Sequence, residues 1–477
     1  MHRNGQRLIA GAATAVGILA IVVLLTGPSR SGPVIVTIDS SERHQTWEAW
    51  EVTVNMGHRS DNALSNLDRH PVDQWVLDEI VADAADNLGI TAIDLPVSLT
   101  DERHSIEPVN DNADPFALDD TRVRWNWIDP YIRAIVLPLK ERVEARGVPF
   151  TFTVRVVAWN AWQWGEPELD GGQEYVEIVF GTLERLRSKF GLVPDYLSPM
   201  NEPDHLSSDT SKAQIIRGIS KLAVRLQASG YPTKLSFPEV SHVKNTLDWF
   251  DAMAEAEPTL LPLVGRISFH GYPQGFERHR RTLNRIRARA HEYGLTTAQT
   301  EWWFTTDHPP DIITCMTEGD ISVYQPFVLS GFSNNPERGP YGITYSGGTF
   351  PLFNATGWVR GPDWYELYQF SGFIRPGDVR IDATSSRSGI RTVAFEKPDG
   401  RQTVVVLNTE SEAVALELRG LAPGAYDIVL TDAGHNGEHL SRETVRADEA
   451  LVFQLSAAGL VTIHAPAEIQ ASATGAR

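Results

Sequence analysis

The clearest indication of the fold lies in the stretch YLSPMNEPDH, residues 196–205. Strand-favouring residues run up to Asn201 and Glu202, and Pro203 then stops the strand because it has no N–H to donate. A surface glutamate needs no such setting. In barrels of alternating strands and helices, by contrast, the reactive side chains stand where the parallel strands end. The surrounding sequence shows whether this strand belongs to such a barrel.

Strand-like runs alternate with helix-like runs from about residue 45 to 330. In residues 209–230, apolar side chains recur on one helical face, Ser211 is one of three candidate caps at the start, and Gly230 suits the end. Eight strands alternating with helices predict an α/β fold, a parallel (β/α)8 TIM barrel. The predicted strands are residues 46–54, 89–98, 150–159, 195–201, 233–241, 265–272, 296–304 and 321–332.

The pattern changes near residue 376 to short alternating strands with turn signals, among them KPDGRQ (397–402). This predicts a C-terminal β-sandwich domain, which also takes in an N-terminal strand that has no place in the barrel. The predicted domains are an N-terminal anchor and linker (1–32), a strand joining the β-domain (33–45), the barrel (46–372), the β-sandwich (373–466) and a disordered tail (467–477).

The N-terminal segment predicts a membrane anchor. Arg3 and Arg7 precede residues 8–27, an uncharged run about as long as a helix that crosses a bilayer. The alternative is a signal peptide, although the segment lacks a clean small-residue cleavage site. We expect a single-pass protein whose body lies outside the cytoplasm, or a secreted protein if the segment is cleaved.

Composition excludes several classes of function. The net charge of −19 argues against nucleic acid as a partner. One cysteine, Cys315, excludes an intrachain disulfide and a cysteine-rich zinc site. The sequence shows no metal-binding His or Cys spacing, phosphate-binding glycine loop or nucleophile elbow, so we expect neither a cofactor nor a metal. Six arginines in residues 277–294 are typical of a solvated outer helix, with a polyanion site as the alternative.

Two glutamates stand at the ends of predicted strands. Glu202 ends the fourth strand and Glu301 ends the seventh, and these strands lie opposite each other across the barrel mouth. A pair of carboxylates flanking one bond is what glycoside hydrolysis requires. The sequence therefore predicts that Glu202 and Glu301 are the catalytic pair.

Aromatic and acidic residues near these strand ends are candidate sugar ligands. Trp159 ends the third strand and Trp303 follows Glu301, and an indole face packs well on the C–H groups of a pyranose. Trp302 fits either a sugar contact or the barrel wall. Asp94 is a candidate ligand of a sugar hydroxyl, and an ion pair with Arg155 is an equal alternative.

Several motifs resemble those of a known family. SPMNEP (198–203) followed by TEWW (300–303) is similar to the retaining glycoside hydrolases of clan A. QTWEAWEVTVN (45–55), SFHGYP (268–273), YQFSGFIRPGDVRI (368–381) and VAFEKPDGRQTVVVLN (393–408) narrow the resemblance to glycoside hydrolase family 30. It departs from the family in the first strand, where Trp50 and Glu51 replace small residues; Glu51 would read a sugar group or pair with an arginine.

The resemblance implies roles for individual residues. Glu202 would be the general acid/base, with a raised pKa, and Glu301 the ionised nucleophile. Asn201 would bind the sugar 2-hydroxyl. Tyr272 would hold Glu301, and His270 would line the floor of the site. The implied activity is retaining hydrolysis of a β-linked oligo- or polysaccharide. A non-catalytic carbohydrate-binding barrel, a transglycosylase and a metal-dependent hydrolase are the alternatives.

Overall fold

The computed structural model of the 477-residue chain describes residues 32–57, 73–99, 118, 123–125, 128–158, 172–205, 211–302, 308–332, 352–354 and 357–467. The predicted anchor segment 8–27, Trp159, Trp303 and nearly all of the predicted tail lie outside these residues. None of the helices in the described ranges is long and apolar enough to cross a membrane.

Eight parallel strands form a closed barrel. The first strand pairs with both the second and the eighth, as in Trp50 opposite Tyr324, which closes the sheet. The predicted TIM barrel is thereby confirmed. The barrel strands are β2 (Ala49–Gly57), β3 (Ala92–Ser98), β4 (Thr151–Val157), β5 (Tyr196–Ser198), β6 (Lys234–Val240), β7 (Val264–His270), β8 (Thr296–Trp302) and β9 (Ile321–Pro326).

The last predicted strand, 321–332, is divided in the structure. Its first part is β9, and its second part, β10 (Val328–Phe332), also pairs with β2 and leads to the short hairpin β11 (Leu352–Asn354) and β12 (Gly357–Val359). The division falls at Phe327, whose carbonyl oxygen accepts a hydrogen bond from Thr53 N at 3.1 Å.

Amphipathic helices cover the barrel. The helix at Lys212–Ala228 is an example. Its start is capped by Ser211, whose Oγ accepts a hydrogen bond from Gln214 N at 3.2 Å, a contact worth about 1 kcal/mol. Its Ile215, Ile219 and Leu226 side chains are buried, as predicted. The main helices are α1 (Gln74–Asp86), α2 (Leu137–Glu144, preceded by the helical turns Asp129–Tyr131 and Ile132–Val136), α3 (Gln173–Phe190), α4 (Lys212–Ala228), α5 (Thr246–Ala256), α6 (Arg280–Tyr293), α7 (His308–Glu318) and α8 (Pro362–Ser371).

The arginine-rich helix α6 is an outer barrel helix. It buries Leu283 and Ile286, while Arg280 and Arg289 form ion pairs with acidic residues of its surroundings. Cys315 is buried in α7, and burial raises the pKa of its thiol well above the ordinary value.

A second sheet of nine strands forms the β-domain. Its first member is β1 (Val34–Thr46), which runs antiparallel to β13 (Val379–Ser385) and parallel to β16 (Val414–Arg419), so the N-terminal strand joins the C-terminal domain as predicted. Alternate residues of these strands are buried in a separate apolar core. The other strands are β13 (Val379–Ser385), β14 (Ile390–Glu396), β15 (Gln402–Asn408), β16 (Val414–Arg419), β17 (Gly424–Asp432), β18 (His435–Val445), β19 (Leu451–Leu455) and β20 (Leu460–His464).

The inside of the barrel changes character along its axis. Near the N-terminal ends of the strands, Ala49, Ala92, Ala298 and Val323 form a small apolar cluster. Closer to the C-terminal ends, charged side chains replace the branched apolar residues that fill most barrels. Charges buried at such depth must be paired, and these charged side chains and their partners form the candidate active site.

Candidate active site

Glu202 and Glu301 meet at the C-terminal mouth of the barrel. Glu202 follows β5 and Glu301 lies near the end of β8, and each residue is only 7% exposed. A carboxylate oxygen of each glutamate and a ring nitrogen of His270 lie within 4.8 Å of one another. The structure therefore brings together the two glutamates and the histidine that the sequence singled out.

Arg155 and Tyr272 hold Glu301. The guanidinium of Arg155 contacts Glu301 Oε2, and the Tyr272 hydroxyl donates a hydrogen bond to Oε1 at 2.9 Å. Arg155 is itself fixed, because Nη2 donates to Thr300 O and to Gln325 Oε1, both at 2.7 Å. Burial raises the pKa of Tyr272 well above 10, so its hydroxyl keeps the proton that it donates.

His270 holds Glu202 from the other side. Its ring is fully buried, with Nδ1 at 3.1 Å from Glu202 Oε1 and Nε2 at 3.3 Å from Glu239 Oε2. Glu239 is buried as well, and its second oxygen accepts a hydrogen bond from Ser236 Oγ at 2.7 Å. The histidine thus lies between two carboxylates.

The pKa values of the two mouth carboxylates are moved in opposite directions. Burial and the charge of Glu202 raise the pKa of Glu301, although His270, Arg155 and Tyr272 stabilise its anion. Burial also disfavours the Glu202 anion, but the hydrogen bond and charge of His270 outweigh burial and lower its pKa. The sequence predicted a raised pKa for Glu202, whereas the contact with His270 favours the ionised form of Glu202.

The backbone at Glu202 is in a conformation that side chains rarely adopt. Its φ is 48°, in the left-handed region, at a cost of order 1–3 kcal/mol. Asp204 stabilises the turn, because its carboxylate accepts hydrogen bonds from Ser241 N at 2.8 Å, His242 N at 3.1 Å and Asn245 Nδ2 at 2.9 Å. These contacts tie the loop after β5 to the loop after β6 and keep Glu202 pointing into the mouth.

Asn201 and Asp94, the other predicted sugar ligands in the described residues, differ in position. Asn201 lies beside Glu202 and its Oδ1 accepts a hydrogen bond from Arg155 at 3.3 Å. Asp94 is completely buried, with Oδ2 at 2.7 Å from Arg155 Nη2, so the structure gives the ion pair that was its alternative. Burial raises the pKa of Asp94 to about 7 although Arg155 favours its anion.

Trp302 and Glu51 occupy structural positions. Trp302 is buried, and its Nε1 donates a hydrogen bond to Asp311 Oδ2 at 2.9 Å, so it belongs to the barrel wall. Glu51 lies deeper in the barrel, where it pairs with Arg266 Nη2 at 3.3 Å and accepts a hydrogen bond from Thr153 at 2.5 Å. It therefore takes the arginine-pairing role that the sequence left open.

Sequence reasoning missed Glu239, Arg266 and the contact between Arg155 and Glu301. A usable signal was present, because Glu239, Arg266 and Arg155 are charged residues inside apolar strands, where only a paired charge is tolerated. The grouping of Glu202, His270 and Glu301 has a spacing that would suit a cation. Arg155 and His270 already supply positive charge to these carboxylates, so we assign no metal there.

Comparisons with known proteins agree with the fold. A family model described as the glycosyl hydrolase family 30 beta sandwich domain matches residues 377–441. "Putative glucosylceramidase 1" of Caenorhabditis elegans is 24% identical over 463 residues, covering 88% of this chain and 82% of that protein.

Solved structures share the same architecture. The catalytic domain of a GH30 xylanase C from Talaromyces cellulolyticus superposes with a TM-score of 0.67 at 18% identity, covering 90% of this chain and 99% of that one. The endo-beta1,6-glucanase BT3312 gives 0.62 at 15% identity, covering 91% and 94%. Together with the domain match, these similarities confirm the resemblance to glycoside hydrolase family 30.

Proposed function

We propose that this chain, a relative of the glycoside hydrolases of family 30, is a retaining β-glycosidase that acts on a β-linked glycan. The proposal rests on the close approach of Glu202 and Glu301, since a carboxylate oxygen of one lies within 4.8 Å of a carboxylate oxygen of the other. Retaining enzymes place their carboxyl groups roughly 5–5.5 Å apart, whereas inverting enzymes need roughly 6.5–9.5 Å to admit water.

Glu301 is the proposed nucleophile. Arg155 and Tyr272 bond to both of its oxygens, which orients the carboxylate and stabilises its anionic form. Attack on the anomeric carbon would form a covalent glycosyl-enzyme, and the charge of Glu301 would be lost in that step.

Glu202 is the proposed acid and base. It would protonate the leaving oxygen in the first displacement and remove a proton from water in the second. In the free enzyme His270 favours the ionised form of Glu202, so Glu202 must receive a proton before the glycosidic bond breaks. Esterification of Glu301 removes the neighbouring charge, which favours the base form in the second step.

The proposed substrate is a β-linked oligo- or polysaccharide. The relatives carry names of a xylanase, a β-1,6-glucanase and a glucosylceramidase, which span several sugars and linkages. Asn201, beside Glu202, is the proposed ligand of the sugar 2-hydroxyl. Trp159 and Trp303 are proposed sugar platforms on the basis of the sequence alone.

A panel of aryl β-glycosides and β-linked polysaccharides tests the proposal with the full chain. We expect turnover that falls by at least about a thousandfold in Glu202→Gln on polysaccharides and in Glu301→Gln on all substrates. Proton NMR should show the β-anomer as the first product. An α-anomer would establish inversion and contradict the nucleophile. Saturable glycan binding without turnover, unchanged in both variants, would favour the carbohydrate-binding alternative.

Transglycosylation is the second candidate reaction of the same site. It would use the same covalent intermediate, with a sugar hydroxyl in place of water. A rising acceptor concentration should leave hydrolysis products dominant if our proposal holds. A product mixture dominated by longer oligosaccharides would favour the transglycosylase.

The sequence also supports a proposal about location. Residues 8–27 would anchor the chain in a membrane with Arg3 and Arg7 in the cytoplasm. Fractionation of cells that express the full chain tests this. Recovery of the intact chain in the membrane fraction after alkaline extraction supports the anchor, whereas a shortened chain in the medium supports a cleaved signal.

A further inference from the structure

Glu239 is a buried carboxylate that the proposed reaction does not use directly. It lies on β6, 1% exposed, and its oxygen Oε2 faces His270 Nε2 at 3.3 Å. Its carbonyl oxygen accepts a hydrogen bond from Glu202 N at 2.8 Å. Glu239 therefore contacts the proposed acid/base twice, once through the backbone and once through His270.

The geometry of His270 restricts where protons can be. Both of its ring nitrogens face carboxylate oxygens, at 3.1 Å and 3.3 Å. A neutral imidazole has one N–H and one lone pair, so a neutral His270 between two anions would set a lone pair against an oxygen lone pair. The arrangement is satisfied when His270 carries two protons, or when the second proton lies on Glu202 or Glu239.

Nearby positive charges determine which of the two carboxylates, Glu202 or Glu239, can take the second proton. Arg155 and Arg266 both act on Glu239, and Ser236 donates to its other oxygen. Burial opposes ionisation, but His270 and these two arginines outweigh it and hold the pKa of Glu239 well below its usual range. These contacts favour the anionic form of Glu239, which leaves His270 and Glu202 to share the mobile proton.

We infer that Glu239 is a positioning residue for proton transfer, fixing His270 as the group that stores the catalytic proton and passes it to Glu202 through Nδ1. The inference rests on the proposed function. It explains how a glutamate that His270 keeps ionised can still act as the acid.

The proton transfer from His270 to Glu202 breaks one N–H bond and forms one O–H bond. The Nδ1–H bond of His270 breaks, an Oε1–H bond forms on Glu202, and His270 becomes neutral with Nε2–H still donated to Glu239. Rotation of the Glu202 carboxyl group turns its proton toward the leaving oxygen. In the second displacement Glu202 takes a proton from water, and the reverse transfer restores the imidazolium.

The charged neighbours of His270 favour its protonated form. Burial lowers its pKa, but the charge of Glu301 and the hydrogen bonds to Glu202 and Glu239 outweigh burial and raise it to about 10. Of the remaining neighbours, Tyr272 stays neutral, and Arg155, Arg266 and His205 act on the carboxylates around the ring. We therefore expect the free enzyme to carry an imidazolium at neutral pH.

Nitrogen NMR of the histidine-labelled full chain tests the storage of the proton. The signal absent from His270→Gln identifies His270. We expect it to show two protonated ring nitrogens at pH 8 in the wild type, and to titrate at least about two pH units lower in Glu239→Gln, which keeps the side-chain shape but removes the charge. A neutral His270 at pH 7 in the wild type overturns the inference.

The pH dependence of kcat/KM tests the coupling to catalysis. Loss of the Glu239 anion should move the basic limb to lower pH by about one unit or more. The control is Asp83→Asn, which removes one buried carboxylate charge in α1 and should leave the limb in place. An unmoved limb in folded Glu239→Gln overturns the inference. If the wild type hydrolyses no glycoside, the proposed function fails, and the NMR titration alone decides the inference.

Discussion

The backbone N–H of Glu202 donates a 2.8 Å hydrogen bond to the carbonyl oxygen of Glu239, and both residues have a positive φ, 48° and 59°. Two glutamates in the left-handed region of backbone conformations are uncommon, and each costs of order 1–3 kcal/mol. Their shared hydrogen bond joins the ends of β5 and β6. The surrounding contacts must offset the cost of this conformation.

Asp204 makes the main contacts that stabilise this backbone conformation. Asp204→Ala removes three hydrogen bonds between the loops after β5 and β6. We expect a loss of roughly 2–3 kcal/mol in the free energy of unfolding and a lower kcat, because the buried Ser241 and the half-buried His242 and Asn245 lose the acceptor of their hydrogen bonds. Urea unfolding measures the first and steady-state kinetics the second. Asp399→Ala, in an exposed hairpin, is the control and should change neither; equal effects in both variants would contradict the role of Asp204.

Tyr272→Phe deletes a single hydroxyl that bonds to Glu301 at 2.9 Å. We expect kcat to fall roughly 10²-fold, as for other removed donors to a reacting charge. The hydroxyl lowers the pKa of Glu301, so its removal should raise that pKa and move the acid limb of kcat/KM to higher pH. A variant with a lower kcat but an unmoved acid limb would show that Tyr272 acts elsewhere.

Arg155→Met removes the cation that contacts both Asp94 and Glu301, two buried carboxylates. We expect a loss of about 3–5 kcal/mol in the free energy of unfolding. Adding Asp94→Asn should restore part of the stability at pH 7 but none of the activity, because the contact with Glu301 stays missing.

The control for this pair is Arg446→Met, at an ion pair whose arginine is 83% exposed. It should change the free energy of unfolding by less than about 0.5 kcal/mol. Recovery of activity in the double variant would mean that Arg155 serves only to neutralise Asp94.

His308 should make the fold sensitive to mild acid. It is buried, and neither ring nitrogen hydrogen bonds to a residue that the structure describes. Burial lowers its pKa to about 4 from 6.5, so as the pH falls through this window the unfolded chain gains the proton first and stability declines. The decline attributable to His308 should total about 3 kcal/mol and stop below pH 4.

Thermal unfolding at pH 8, 6, 5 and 4 measures this effect, with His308→Leu as the comparison. The variant should lose less stability than the wild type between pH 6.5 and 4. Parallel curves for the two proteins would show that His308 is accessible to protons in the folded state.

The sequence was sufficient to predict the barrel, because the eight alternating strand and helix patterns are local properties of the chain. It was sufficient for the meeting of Glu202 and Glu301 because the ends of parallel strands share one face of a barrel. It could not predict the contact between Arg155 and Glu301, or the placing of His270 against Glu239. Such contacts depend on strand stagger and side-chain conformation, which leave no periodic pattern.

Covalent trapping of the glycosyl-enzyme tests whether Glu301 is the nucleophile. The full chain would be incubated with activated 2-deoxy-2-fluoro β-glycosides matched to the sugars it hydrolyses, then digested and mapped by mass spectrometry. A single sugar adduct on the peptide that carries Glu301, absent from Glu301→Gln, is the predicted result. An adduct on another carboxylate, or turnover with no adduct on Glu301, would contradict the proposed nucleophile.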